Sequence, residues 1–163
     1  MVFEKKYKTV IGLLQKSIPE DASKNKPLLP HLLRVGKYLH DGGYSDEVVT
    51  AGLLHDMIEW TDNPKEMIQK KFGEYVYDIV MANTKNRDIK DPVKRREDYV
   101  NRCDEVGVDA LIVKAADTLD SYEYYTEQNN QDELERCRNI ARLVLDKVDK
   151  DSDPIFKKLL EIV

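Results

Sequence analysis

Ala51-Gly52-Leu53-Leu54-His55-Asp56-Met57-Ile58-Glu59 is the stretch whose reading decides the fold. With Val48 and Val49 ahead of it, the segment is an apolar helix that Ser45 can cap, yet it carries a histidine and a carboxylate side by side. Burying an ionised carboxylate without a partner is strongly unfavourable. A divalent transition cation removes the difficulty, because carboxylate oxygen and imidazole nitrogen are both good ligands. Adjacent helical residues project about 100° apart, so His55 and Asp56 can grip one ion from the helix flank.

Two further ligands are expected from other helices. His31 follows Pro30 at the start of an apolar helix with Leu32, Leu33 and Val35. Asp117 is embedded in Ile112-Val113-Lys114-Ala115-Ala116-Asp117-Thr118-Leu119, again a charge in an apolar helix. Alone, each has a bland explanation: a core histidine, a chance His-Asp pair, a salt bridge from Asp117 to Lys114 at i−3. Together they describe a helical bundle whose centre is built from side chains on facing helices.

The rest of the chain supports helices throughout. Phe3, Tyr7, Val10, Ile11 and Leu14 form one stripe, and Pro19 ends it. A loop over Asp21–Pro27 leads into a helix around Leu28–His40, which Asp41-Gly42-Gly43 stops. Asn63-Pro64-Lys65-Glu66 reads as a capping box with proline at the first helical position. Asp91-Pro92 and Asp153-Pro154 repeat the cap-then-proline signal. The pattern predicts helices near 74–84, 92–105, 107–127 and 131–149. In the last, Leu134, Cys137, Ile140, Ala141, Val144, Leu145 and Val148 draw an apolar face. Val108–Ala116 could be a buried strand in isolation, but its continuation into Asp117-Thr118-Leu119 argues for a helix. The expectation is an all-α, single-domain helical bundle over residues 1–163 with about 7–9 helices.

Composition narrows the function classes. Lys plus Arg number 26 against 31 Asp plus Glu, a net charge of −5, which gives no support to a nucleic-acid-coating role. No run of about 18 apolar residues predicts a membrane span, and MVFEKKYKTV lacks the apolar core of a signal peptide. Cys103 and Cys137, without CxxC spacing, read as buried free thiols. A cytoplasmic protein is expected, and a homo-oligomer is compatible with the sequence.

The order His…His-Asp…Asp, with these flanks, resembles the HD superfamily of metal-dependent phosphohydrolases. Within it the chain is most similar to the hydrolase domain of RelA/SpoT-type, ppGpp hydrolase-like proteins. The similarity runs from about His31 to Tyr125, a core of about 28–127 followed by packing helices over 131–163. It rests on His31-Leu-Leu-Arg-Val, Ala51 to Glu59, Phe72-Gly73 with Val76, Val80 and Thr84-Lys85, and Lys114-Ala-Ala-Asp-Thr-Leu. The resemblance implies an HD-type bundle in which His31, His55, Asp56 and Asp117 hold one divalent transition metal. Manganese is the first expectation, with Fe, Co, Ni or Zn suiting the same donors. It also implies metal-activated water attacking a phosphorylated small molecule, expected to be a nucleotide: a nucleoside monophosphate or a ppGpp-type substrate. Nothing beside the hydrolase-like region suggests a synthetase activity.

Glu59, four residues after His55 and three after Asp56, shares their helix face and is the candidate catalytic base; an exposed helix-end carboxylate is the plainer alternative. Arg34 one turn after His31, Lys114 one turn before Asp117, Lys85 after the helix near 74–84, and Asp120 one turn after Asp117 are the candidate substrate-binding residues. Tyr124 continues that spacing. His40 ends a helix, where the helix dipole accounts for it.

The chain also departs from the family pattern. Enzymes that cleave the 3′-pyrophosphate of ppGpp carry Glu-Asp just after the His-Asp dyad; Glu59 matches the Glu, but Trp60 stands where Asp is expected, with Asp62 two positions on. Ser121 replaces an Asn, and no basic guanine-binding segment is recognisable in Asp21–Pro30. These departures leave a non-catalytic metal- or nucleotide-binding sensor as the alternative. Trp60 could stack on a nucleobase, although packing against the bundle is the commoner role for such a residue.

Overall fold

The computed structural model describes residues 2–19, 21–22, 25–63 and 65–163. Among these there is no β-strand, and eleven helical segments follow one another. They are α1 Val2–Lys6, α2 Lys8–Ser17, α3 Leu28–Asp41, α4 Asp46–Leu54, α5 Met57–Trp60 and α6 Lys65–Phe72. Then come α7 Glu74–Asn83, α8 Pro92–Val106, α9 Val108–Glu127, α10 Gln131–Leu145 and α11 Pro154–Ile162. The all-α expectation holds, and the Val108–Ala116 stretch is helical.

The count exceeds the expected 7–9 because two predicted helices are broken. Tyr7 separates α1 from α2 with φ −103° and ψ 24°. The second break falls at His55-Asp56, where Asp56 takes φ −102° and ψ 0°. That is the sparsely populated bridge region, where active-site residues often sit. A continuous helix over 46–60 would hold the two side chains about 100° apart; the break lets both turn toward one point.

The caps follow the sequence. Ser45 Oγ accepts from the Val48 amide at 3.3 Å. Asp91 Oδ1 accepts from Val93 at 2.8 Å ahead of α8, and Asp153 Oδ1 from Ile155 at 2.9 Å ahead of α11. These oxygens satisfy amides that a helix start leaves without intrahelical partners. The capping box expected at Asn63–Glu66 turns on Pro64, which lies outside the described residues. At the end of α3 it is Gly43, with φ +78°, that takes the left-handed conformation.

The central element is α9, which packs against α3, α4, α7, α8, α10 and α11. Its residues Ala110 to Ala116 are all buried, and the main hydrophobic core extends from Phe3 to Leu159 around it. A smaller cluster of Tyr125, Leu134 and Cys137 closes the α9–α10 end. Cys103 and Cys137 are free and buried.

Helices α3 and α4 cross closely because each offers a glycine at the contact. A Cβ on Gly36 would lie 2.5 Å from Leu53 Cγ and 3.3 Å from Phe3 Cζ, and one on Gly52 2.4 Å from Leu39 Cδ1. This crossing brings the His31 and His55 rings to a centroid separation of 5.3 Å. Gly36→Val should therefore destabilise the protein by about 1–3 kcal/mol, the usual cost of overpacking a core. Chemical denaturation would show a lowered midpoint with an unchanged slope; an unchanged midpoint would mean the crossing has slack.

Candidate metal centre

His31 on α3, His55 and Asp56 at the α4–α5 break, and Asp117 on α9 converge, with one ligand atom from each within 4.8 Å of all the others. His31 Nε2 lies 3.0 Å from Asp117 Oδ1 and 3.8 Å from Asp56 Oδ2. His55 Nε2 lies 3.3 Å from Asp56 Oδ2 and 3.4 Å from Asp117 Oδ1. Both imidazoles are fully buried.

Each ring is aimed by its other nitrogen. His55 Nδ1 donates to the Gly52 carbonyl at 2.6 Å; a carbonyl only accepts, so this nitrogen carries the hydrogen and Nε2 is turned to the cluster. His31 Nδ1 donates to Asp120 Oδ2 at 2.6 Å. Asp120 is in turn gripped by both arms of Arg34, Nε to Oδ1 at 2.8 Å and a terminal nitrogen to Oδ2 at 3.0 Å. Backbone carbonyls and carboxylates behind a ligating histidine are the common means of orienting it.

The donor set fits a divalent cation. His55 Nε2 is a buried atom without a directional hydrogen bond, although two carboxylates stand beside it. Such an orphaned atom calls for an explanation, and a cation among the four donors supplies one. The charges say the same. Burial alone would lower the His55 pKa, but Asp56 and Asp117 outweigh it and push it up to about 10. Asp117 is held well below the usual carboxylate range: burial opposes this, and Lys114 and the two histidines prevail. Lys114 Nζ reaches Asp117 Oδ2 at 3.2 Å and lies 4.3 Å from the Tyr99 ring centroid.

A cavity of about 250 Å³ opens beside the cluster. Asp56 and Asp117 form its metal-facing wall, and Lys26, Lys85, Arg96, Lys114 and Arg136 supply cations around the remainder. Lys85 and Lys114, two of the candidate substrate-binding residues, are thus both on the cavity lining. Arg34 and Asp120 do not line the cavity. Asp120, one turn after Asp117, faces α3 instead, so this pair supports His31 from behind. Tyr124 packs against the small α9–α10 cluster, its ring 5.4 Å from that of Tyr125. His40 sits against Phe3 and Tyr7, at 5.6 and 5.8 Å between centroids, apart from the centre.

Glu59 lines the cavity but is only 5% exposed. Its carboxylate accepts from the Lys85 amide at 3.2 Å and from Arg87 at 2.9 Å. The 84–91 connection that presents these groups is pinned by α8. Arg102 donates to the Met81 and Thr84 carbonyls at 2.6 Å each, and Arg95 to those of Ile89 and Lys90 at 2.8 and 3.1 Å. Sequence reasoning missed Lys26, Arg96 and Arg136. Among 26 basic residues, nothing local separates these three from solvated surface charges.

An all-helical bundle with a two-histidine, two-aspartate centre at a cation-lined cavity defines a class of metal-centred helical domains. The HD domain family profile matches residues 12–146, and the chain belongs to the HD domain family. It is 34% identical over 98 residues to a guanosine-3′,5′-bis(diphosphate) 3′-pyrophosphohydrolase of Aquifex aeolicus (strain VF5), covering 59% of this chain and 14% of that one. It is 34% identical over 95 residues to the guanosine-3′,5′-bis(diphosphate) 3′-pyrophosphohydrolase MESH1 of Danio rerio, covering 57% and 52%. The chain therefore spans about half or less of the length of these curated relatives. Among solved structures, one of a metazoan ortholog of SpoT, described as hydrolysing ppGpp, superposes with a TM-score of 0.79 at 22% identity, covering 96% of this chain and 93% of that one. The lmo0812 protein of Listeria monocytogenes EGD-e superposes with a TM-score of 0.68 at 21% identity, covering 85% and 96%. At such identities the likeness concerns the fold.

Two outcomes follow from this geometry. The folded metal-free protein keeps a proton on His55 up to a pH of about 10, against an ordinary 6.5. A cation must displace it, so metal binding at neutral pH should release a proton and tighten roughly tenfold per pH unit until about 10. In the metal-free protein the same proton stabilises the fold fully below about 6.5, and that contribution fades as the pH rises toward 10. Calorimetric titration in buffers of different ionisation enthalpy measures the proton count; no release would contradict this picture. Asp120→Ala, which strips His31 of its supporting carboxylate, should weaken metal affinity by roughly 10–100-fold, measured by competition with a chromophoric chelator.

Proposed function

We propose that this protein is a metal-dependent phosphohydrolase acting on a nucleotide. The observation that carries the reading is the convergence of four ligand atoms within 4.8 Å, two of whose residues, Asp56 and Asp117, line a cavity that also holds Lys26, Lys85, Arg96, Lys114 and Arg136. Metal ligands alone would suit many chemistries; ligands facing fixed ammonium and guanidinium groups suit a phosphorylated substrate. The relatives named guanosine-3′,5′-bis(diphosphate) 3′-pyrophosphohydrolases put a ppGpp-type pyrophosphate first among substrates to test. Nucleoside monophosphates stand second, because Trp60 occupies the place of an expected carboxylate.

A divalent cation held by His31, His55, Asp56 and Asp117 supplies Lewis-acid polarisation of a phosphoryl oxygen and activation of a water. Manganese is our assignment, as a mixed imidazole and carboxylate set lies between the preferences of harder and softer ions. Lys85 and Lys114 bind the phosphoryl oxygens and balance their charge. Glu59 takes the proton of the attacking water, its carboxylate held in place by Arg87 and the Lys85 amide. Asp120 and Arg34 fix the His31 ring. We place the protein in the cytoplasm: no helix among the described residues is long and apolar enough to cross a membrane, and both cysteines are free thiols.

The test is direct. The purified protein is assayed for bound metal, then for manganese-supplemented turnover of ppGpp, nucleoside monophosphates and a chromogenic phosphate ester. Glu59→Gln should keep its metal content while turnover falls by about 10²- to 10⁴-fold, the usual contribution of a general base. Failure to take up metal after reconstitution, or metal uptake with no turnover on any of these substrates, would overturn the proposal. Unchanged turnover in Glu59→Gln would remove Glu59 from the mechanism.

A further inference from the structure

Trp60 is the sole tryptophan of the chain, and it lines the same cavity as the metal-centre residues while remaining 37% exposed. Its amide donates to the Asp56 carbonyl at 3.2 Å, so it stands one helical turn, about 5.4 Å along the axis, beyond a candidate metal ligand. Within this short helix Met57 is fully buried in the main core and Ile58 packs against it. An indole held at the rim of a cavity, with Lys85 and Arg96 on the same lining, combines a flat π-face with cations for phosphate. Proteins that bind single-stranded nucleic acid without sequence preference use this pairing, since every base offers a face to stack on, and the same physics applies to a single nucleotide.

We propose that Trp60 is a specificity-determining residue that stacks on the aromatic base of the substrate. It thereby selects phosphorylated compounds bearing such a base over sugar phosphates and free phosphate. The inference rests on the phosphohydrolase reading above and adds the group that distinguishes one phosphate compound from another. Stacking on a planar face discriminates weakly among bases, so purine nucleotides as a class are expected to bind, with Trp60→Phe retaining most of the affinity.

The manganese-loaded protein is mixed in a stopped-flow fluorimeter with GMP, ribose 5-phosphate or inorganic phosphate, so that binding is read before turnover. GMP should quench the Trp60 emission saturably, while ribose 5-phosphate binds more weakly and leaves the emission unchanged. Trp60→Leu should weaken GMP binding, followed by competition with a fluorescent nucleotide, by about tenfold or more. Its affinity for ribose 5-phosphate and its circular dichroism should not change. Trp60→Phe should restore GMP binding to within a few-fold of the parent. Equal responses to GMP and ribose 5-phosphate, or undiminished GMP binding by a folded Trp60→Leu protein, would overturn the stacking role and leave the phosphohydrolase reading standing. Failure of GMP to bind would likewise overturn the stacking role, whereas the phosphohydrolase reading is decided by metal uptake and by turnover of ppGpp and the other substrates.

Discussion

Two carboxylates and two imidazoles each bring one ligand atom to within 4.8 Å of the others, and the surrounding architecture serves to hold them there. Asp56 and Asp117 repel one another, and burial raises the cost of each charge. Without a cation, a proton on His55 takes the place of positive charge, which is why His55 holds its proton so far above its ordinary range. Proton and metal compete for one position, and the protein is arranged so that either can occupy it. Removing one carboxylate alone would leave the remaining groups with the wrong total charge.

That constraint explains several otherwise unrelated features. The glycines at the α3–α4 crossing let His31 and His55 approach. The helix break at Asp56 points two consecutive residues at the same place. Asp120 with Arg34 serves His31, the Gly52 carbonyl serves His55, and Lys114 with Tyr99 serves Asp117. Three ligands thus carry their own support, drawn from a residue one turn away or from a facing helix. Beside Asp56 and Asp117 the cavity lining carries most of its cations, Lys26, Lys85, Arg96, Lys114 and Arg136, together with the carboxylates of Glu59 and Glu133.

How much of this was legible in the sequence depends on the range of the interaction. The helices were, because apolar spacing and caps such as Ser45, Asp91 and Asp153 are local. The ligand set was too, because His55, Asp56 and Asp117 are anomalies within apolar runs, visible before any folding is considered. The break at His55-Asp56 was not, since Leu53 to Ile58 keeps helical spacing straight through it. The tertiary demand for two converging side chains overrides local preference there. Arg34 and Asp120 were placed at the site by their spacing, but one turn along a helix fixes only the face, and that face meets α3 rather than the cavity. Lys26, Arg96 and Arg136 come together from a loop, α8 and α10, and no one-dimensional pattern carries such a meeting.

The chain's departures from the hydrolase pattern bear on how the site handles protons rather than on how it binds an ion. With Trp60 following Glu59, the α5 turn offers one carboxylate where two were expected. That carboxylate is not free to swing: Arg87 and the Lys85 amide hold it, and the segment bearing both is fastened at its ends by Arg102 and Arg95. In the proposed mechanism a single base on this rigid mount has to be correctly placed for its proton transfer. The same connection presents Lys85 to the cavity, so the proposed base and the proposed phosphate ligand are set by one piece of backbone. On the proposed mechanism, disturbing that piece would alter transfer geometry and substrate binding together, whereas disturbing Asp120 would act first on the ion. On the proposed reading, the cation would be held from α3, the α4–α5 break and α9, and the substrate would be met chiefly from α5 and the α7–α8 connection, with Lys114 of α9 facing both.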